Sequence, residues 1–150
     1  MLARRLGCGL RSAGEAIRAR SLELNVDPVA LPLVEHRSID EGTLELARSS
    51  KDCLVIEGTF LDVLLSDLEN VLKIELICEE AERRQRFKTR SGKDSLKQRD
   101  HADRHLRELL HGCREGTRDI TIDTTSKTPE EITEEIIEWA QGTSSHKPPD

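Results

Sequence analysis

The sequence predicts an α/β fold in which helices flank a parallel sheet. Two β-branched, apolar runs, CLVIEG at 53–58 and VLKIELIC at 71–78, read as buried strands, and helix-like segments surround them. A third run, DITIDTT at 119–125, alternates Ile120 and Ile122 with polar residues. Strands separated by helices need crossover connections, and crossovers give parallel pairing.

The elements follow in chain order. Leu2, Ala3 and Leu6 have the spacing of an apolar helix stripe, with Arg4 and Arg5 on the wet side. No capping residue precedes them, so the chain is expected to start inside a helix. CGLRSAG at 8–14 is a fourth strand candidate, and 15–24 is a helix with Ala16, Ile17, Ala19, Leu22 and Leu24 as its apolar positions. The segment 25–38 holds two prolines and reads as loop or poor helix. A short helix at 40–50 leads into the 53–58 strand. Residues 79–90 begin a charged helix, and 97–112 form another, closed by Gly112 in the left-handed conformation that suits glycine. The last helix, 128–140, has Thr128 as N-cap, Pro129 at the first position and Glu131 at the third, a capping-box pattern. Its stripe is Ile132, Ile136, Ile137 and Trp139 or Ala140. The polar end, 141–150, is expected to be a disordered tail.

Composition narrows the class. A chain of 150 residues suits one domain with a real core, and with 2% aromatics that core must be aliphatic. The net charge of −6 argues against a general binder of nucleic-acid polymers. No apolar stretch approaches the ~20 residues that span a bilayer, and the start lacks the long apolar core of a signal peptide. Cys8, Cys53, Cys78 and Cys113 have no zinc-ribbon spacing. Cys53 and Cys78 fall in apolar runs. The expectation is reduced thiols and a cytoplasmic protein. His101 and His105 are one helical turn apart, yet without an evident third ligand they read as an exposed helix pair, and no metal site is expected.

Chemistry-bearing residues recur in a fixed order: SAGEAIR at 12–18, LVIEG at 54–58, EEAERRQRFKTR at 79–90, RDHADRHLRE at 99–108 and IDTTSKTPEEITEEII at 122–137. This order resembles the cytidylate kinase branch of the P-loop nucleoside monophosphate kinases, over roughly residues 2–140. The resemblance implies a domain over 1–140 with a lid at about 83–105, and ATP-dependent phosphoryl transfer to CMP or dCMP with Mg²⁺. It also implies that the central first strand and the P-loop are missing, because MLARRLG matches the middle of the helix that follows them. No G-x-x-x-x-G-K-[ST] occurs in the 150 residues. A chain without that cradle is expected to show little or no transfer, and removal of a central strand is expected to leave two open sheet edges. The alternative is a non-catalytic nucleotide-binding or interaction protein derived from the same fold.

By the same resemblance, Ser12, Gly14 and Arg18 line the acceptor pocket, with Arg18 on the acceptor phosphate. Glu57 and Gly58 sit at the strand end where such ligands gather. Arg83, Arg86 and Arg90, three and four residues apart, act as lid arginines on developing negative charge. Arg99 contacts phosphate and Asp103 the acceptor base, a carboxylate being a fit acceptor for the exocyclic amine of cytosine. Thr125 and Ser126 lie beside the ATP adenine. Two positions depart from the family pattern: Thr59 stands where an arginine commonly follows EG, and Leu106 where a later arginine is expected.

Overall fold

The computed structural model describes residues 1–92, 96–112 and 114–144. Its order is α1 (Leu2–Leu6), β1 (Gly9–Ser12), α2 (Ala13–Glu23), a 3₁₀ turn (Pro28–Ala30), α3 (Leu33–Ser49), β2 (Leu54–Glu57), α4 (Leu61–Leu64), β3 (Ile74–Ile77), α5 (Glu80–Ser91), α6 (Leu96–His111), β4 (Ile120–Asp123) and α7 (Pro129–Ser144). The α/β class and the parallel pairing match the sequence reading. β1 pairs with β2 from Gly9 opposite Leu54 to Ser12 opposite Glu57. β3 pairs with β4 from Ile74 opposite Ile120 to Ile77 opposite Asp123. The four strands form two separate two-stranded sheets, and no strand among the described residues joins them.

Local chemistry explains the element ends. α1 closes on Gly7, which takes the left-handed conformation at φ 66°, while the Cys8 amide donates to the Ala3 carbonyl at 2.8 Å. Gly112 does the same after α6 at φ 60°, as its place in the sequence predicts. α7 opens with a reciprocal capping box. The Glu131 amide donates to Thr128 Oγ1 at 3.2 Å, and the Thr128 amide donates to Glu131 Oε2 at 2.7 Å.

Several boundaries differ from the sequence reading. α3 begins at Leu33, inside the segment read as loop, because Pro32 serves as its N-cap rather than interrupting it. Arg20 then ties α2 to α3 through both oxygens of Glu35, at 2.7 and 3.2 Å. α7 runs to Ser144, past the expected start of a tail at 141; residues 145–150 lie outside the described part. In α7 Ile136 is buried, whereas Trp139 is 48% exposed, so Ala140 closes the apolar stripe.

Neither central run is a buried strand. β2 is half-buried up to an exposed Glu57, and in β3 Leu76 and Ile77 are 54% and 44% exposed. The buried apolar residues among those described are Ala3, Ala13, Leu31, Ala47, Val63, Leu65, Ile122 and Ile136. Parallel strands are ordinarily covered on both faces and paired on both edges. Here the aliphatic side chains that the sequence marks for a core have too few neighbours to fill one.

The reduced-thiol expectation fails for one pair. Cys8 and Cys53 form a disulfide, their Cα atoms 4.8 Å apart. The register explains it: each cysteine stands one residue before the Gly9–Leu54 pair, so the two begin adjacent strands side by side. A separation of 45 residues hides this adjacency from sequence. Cys78 is a free thiol, and Cys113 lies outside the described residues.

Candidate functional site

The C-terminal ends of β1 and β2 form the better-defined site. Ser12 ends β1 and caps α2, its Oγ accepting from the Glu15 amide at 3.2 Å. Two residues on, Gly14 leaves room for Arg18, which folds back one turn; a methyl on Gly14 would lie 3.4 Å from Arg18 Nη1 and 3.9 Å from Ser12 Oγ. No hydrogen bond or ion pair holds the Arg18 guanidinium among the described residues. It rests against the first turn of its own helix, the positive end of the dipole, where a cation is disfavoured without an anion beside it. Arg11, on β1, has a buried Nε with no hydrogen-bond partner among the described residues. Periodicity gave no reason to single out Arg11, since one arginine in a short strand reads as an exposed residue.

Gly58, just past β2, touches α2 so closely that a methyl there would lie 2.8 Å from Ala13 Cβ. Glu57 pairs with Ser12 in register. Ser12, Gly14, Arg18, Glu57 and Gly58, all predicted site residues, thus meet at one sheet edge. Phe60 follows with φ 64° and ψ 10°, a left-handed conformation that is a genuine outlier for an aromatic residue. Its ring meets His111 edge-on, centroids 6.0 Å apart. His111 Nε2 lies 3.6 Å from Asp40 Oδ2 on α3, and Arg107 reaches Asp62 at 3.0 Å. α6 is fastened by these contacts to the segment after β2. Burial pushes Asp40 up to about 6. Burial, helped by the nearby Arg107 and Arg114 charges, pushes His111 below the usual imidazole range. Asp40, Phe60 and His111 carry no motif by which the sequence singles them out for a site.

The other predicted residues fall into two further groups. At the end of β3 and β4, Arg86 Nη2 donates to the Thr124 and Thr125 carbonyls at 2.9 and 3.0 Å, and its Nε donates to Glu82. The Thr125 hydroxyl donates to Asp123 Oδ1 at 2.6 Å and accepts from the Glu79 amide at 3.0 Å; that hydroxyl, with the Thr125 amide donating to the same carboxylate oxygen at 2.9 Å, holds the Asp123 carboxyl below its usual range. Ser126 is exposed beside them. On α5 and α6, Arg83 pairs with Asp100, Arg99 lies 3.8 Å from Asp103 and 5.9 Å from the Phe87 ring centre, and Arg90 is exposed. Arg83, Arg86 and Arg90 therefore do not share one anion: the first two are occupied by protein groups. Arg18 stands on α2, whereas Arg83 and Arg99 make their contacts on α5 and α6. No cluster of three His, Cys, Asp or Glu side chains that could hold a metal ion occurs among the described residues.

No protein-family model matches this chain, and no curated protein does. Among solved structures it is similar to an uncharacterized protein from Eubacterium ventriosum ATCC 27560. The TM-score is 0.64 at 18% identity, over 94% of this chain and 88% of that one. At that identity the likeness shows a shared mixed α/β fold. No helix among the described residues is long and apolar enough to cross a membrane.

Proposed function

We propose that this chain binds a nucleoside monophosphate of the CMP or dCMP type, as the acceptor half of a cytidylate kinase-like P-loop fold. Arg18 carries this reading: a guanidinium with no anionic partner, seated over Gly14 at the carboxyl edge of a parallel strand pair. Arg18 is exposed, and a phosphate monoester would give its guanidinium a counter-charge whose geometry the guanidinium fork matches. The split between β2 and β3 supports the same fold, since an absent strand between the two pairs accounts for both the break and the exposed strand faces.

The residues present do not make a cradle for ATP and Mg²⁺. The 150 residues contain no glycine-rich lysine loop, and Arg83 and Arg86 are engaged with protein groups. No transfer step follows from these side chains, and turnover is expected only when the strand and P-loop are supplied. Calorimetry with CMP and dCMP tests the reading. Binding is expected, with Arg18→Ala weakening it about tenfold or more, which is ~1.4 kcal/mol. A coupled assay is expected to show no ADP formation by this chain. Absence of CMP binding, or binding indifferent to Arg18, overturns the acceptor reading. The alternative of a non-catalytic binding protein predicts the same CMP binding, but no turnover even after the strand and loop are restored.

A further inference from the structure

The bridge between Cys8 and Cys53 ties the starts of β1 and β2, and the predicted site residues stand at their far ends. Each strand has four residues, and neither joins a ladder to any other strand among the described residues. A lone two-stranded pair is marginal by itself. Its register nevertheless matters. The end where Ser12 faces Glu57 brings Gly58 against Ala13, and Ser12 caps the helix that carries Arg18. Extended chain rises about 3.3 Å per residue, so the bridge acts on this turn from roughly 13 Å away. Backbone bonds gather at the bridge as well: the Cys8 amide donates to the Ala3 carbonyl at 2.8 Å, and the Gly9 amide to the Cys53 carbonyl at 3.0 Å.

The bridge is open to attack. Cys53 is exposed and Cys8 half-buried, and exposed bridges are the labile ones. Cys8 Sγ lies 3.6 Å from the Leu6 carbonyl oxygen, so a thiol released there has an acceptor at hand. We propose that Cys8–Cys53 is a site of reversible thiol–disulfide exchange with a low-molecular-weight thiol of the glutathione class, and that opening it loosens the β1–β2 pair and the Ser12 turn at its far end. The small thiolate attacks Cys53 Sγ, the accessible sulfur. The bond between the two cysteines breaks, a mixed disulfide forms on Cys53, and Cys8 leaves as a thiolate that takes up a proton. A second small thiolate attacks the sulfur of the first, freeing Cys53, which is protonated in turn. Two electrons and two protons thus pass from a pair of small thiols to the protein, and the small disulfide is the oxidised product; closure runs the same steps backwards. The inference goes beyond the nucleotide reading, since neither the bridge nor its test involves a ligand.

The test uses the full chain with Cys78→Ser and Cys113→Ser, which leaves Cys8 and Cys53 as its cysteines. It is equilibrated with mixtures of reduced and oxidised glutathione, quenched with N-ethylmaleimide and analysed by mass. The bridge is expected to open in millimolar reduced glutathione and to close again when the oxidised form is restored. Amide exchange is then read on both forms. The Glu15 amide, held by Ser12 Oγ, and the ladder amides of β1 and β2 are expected to exchange about tenfold faster or more in the open form, with β3 and β4 changing less than about twofold. A bridge that stays closed in reduced glutathione and yields only to dithiothreitol overturns the exchange site. Protection at Glu15 that ignores an opened bridge, or acceleration shared equally by β3 and β4, overturns its link to the turn. Should the doubly substituted chain not fold, the wild-type chain goes through the same mixtures, and peptide mapping of the alkylated cysteines assigns opening to Cys8 and Cys53 or refutes it.

Discussion

The Asp40 carboxylate and the His111 imidazole lie 3.6 Å apart, Oδ2 to Nε2, and burial drives each toward its neutral form. The pair therefore behaves as two reluctant charges rather than as an ion pair. A carboxyl raised from 3.8 to about 6 in the folded state binds a proton there that the unfolded chain has already released. Its contribution to stability is present below pH 4 and lost as pH rises to about 6. Asp103, also raised by burial, has the same sign; Glu35, held low by Arg20, and Glu131, held low by Thr128, have the opposite one. Subtracting variant from wild type isolates Asp40 together with its neighbour His111, whose lowered pKa has the opposite sign. Asp40→Asn is expected to be more stable at pH 7.5 by roughly 1 kcal/mol, allowing for solvent screening, and to remove part of the decline between pH 4 and 6. Urea melts across that range measure it, and a less stable variant at pH 7.5 contradicts it.

Two glycine substitutions are expected to move in opposite directions. A methyl at Gly58 would stand 2.8 Å from Ala13 Cβ, so Gly58→Ala must separate the end of β2 from α2. The expected loss is about 1–3 kcal/mol, and on the proposed nucleotide reading CMP binding weakens too, because the same contact lies at the start of α2, the helix that carries Arg18. Gly42, exposed inside α3, has nothing within 4 Å of its added methyl. Gly42→Ala is expected to gain up to about 1 kcal/mol through helix propensity alone. Thermal denaturation of the two variants decides.

The Cys8–Cys53 bridge closes a loop of 45 residues. Cys8→Ser is expected to cost about 2–4 kcal/mol, chiefly through the freed unfolded chain. Dithiothreitol should lower the wild-type melting temperature by a matching amount and leave Cys8→Ser unmoved. Equal sensitivity of the two proteins to the reductant would show that the bridge is not what holds the starts of β1 and β2 together.

The capping box of α7 gives a local prediction. Thr128→Ala removes both the acceptor for the Glu131 amide and the hydroxyl that donates to Glu131 Oε2. A loss of about 1 kcal/mol is expected in chemical denaturation, with Thr128→Ser largely retaining wild-type stability.

Period and capping chemistry were legible because both are local. The strands were placed within about three residues of where they pair, and Thr128, Gly112 and the parallel order were readable from residue type and spacing. Burial was not legible. Leu54, Val55 and Ile56 have the composition of a core strand, but how covered they are depends on a neighbour that no local pattern reports. The arginines divide for the same reason. Arg18 shares its segment with Ser12 and Gly14, so sequence could bring them together. Arg83 and Arg86 acquire Asp100 and the Thr124–Thr125 carbonyls only through folding. Asp40, Phe60 and His111 come from α3, the loop after β2 and the end of α6, and none carries a motif.

The break between the two strand pairs bears on how the molecule comes apart. β1 and β2 pair from Gly9 with Leu54 to Ser12 with Glu57, and β3 and β4 from Ile74 with Ile120 to Ile77 with Asp123, so no ladder among the described residues couples one set to the other. Bridging falls to contacts such as α1 against α7, where Arg5 pairs with Glu134. Amide exchange should therefore sort into two protection classes with separate opening energies, the disulfide-bridged pair being slower. Heating would first release β3 and β4, leaving the covalently tied pair as the last ordered unit.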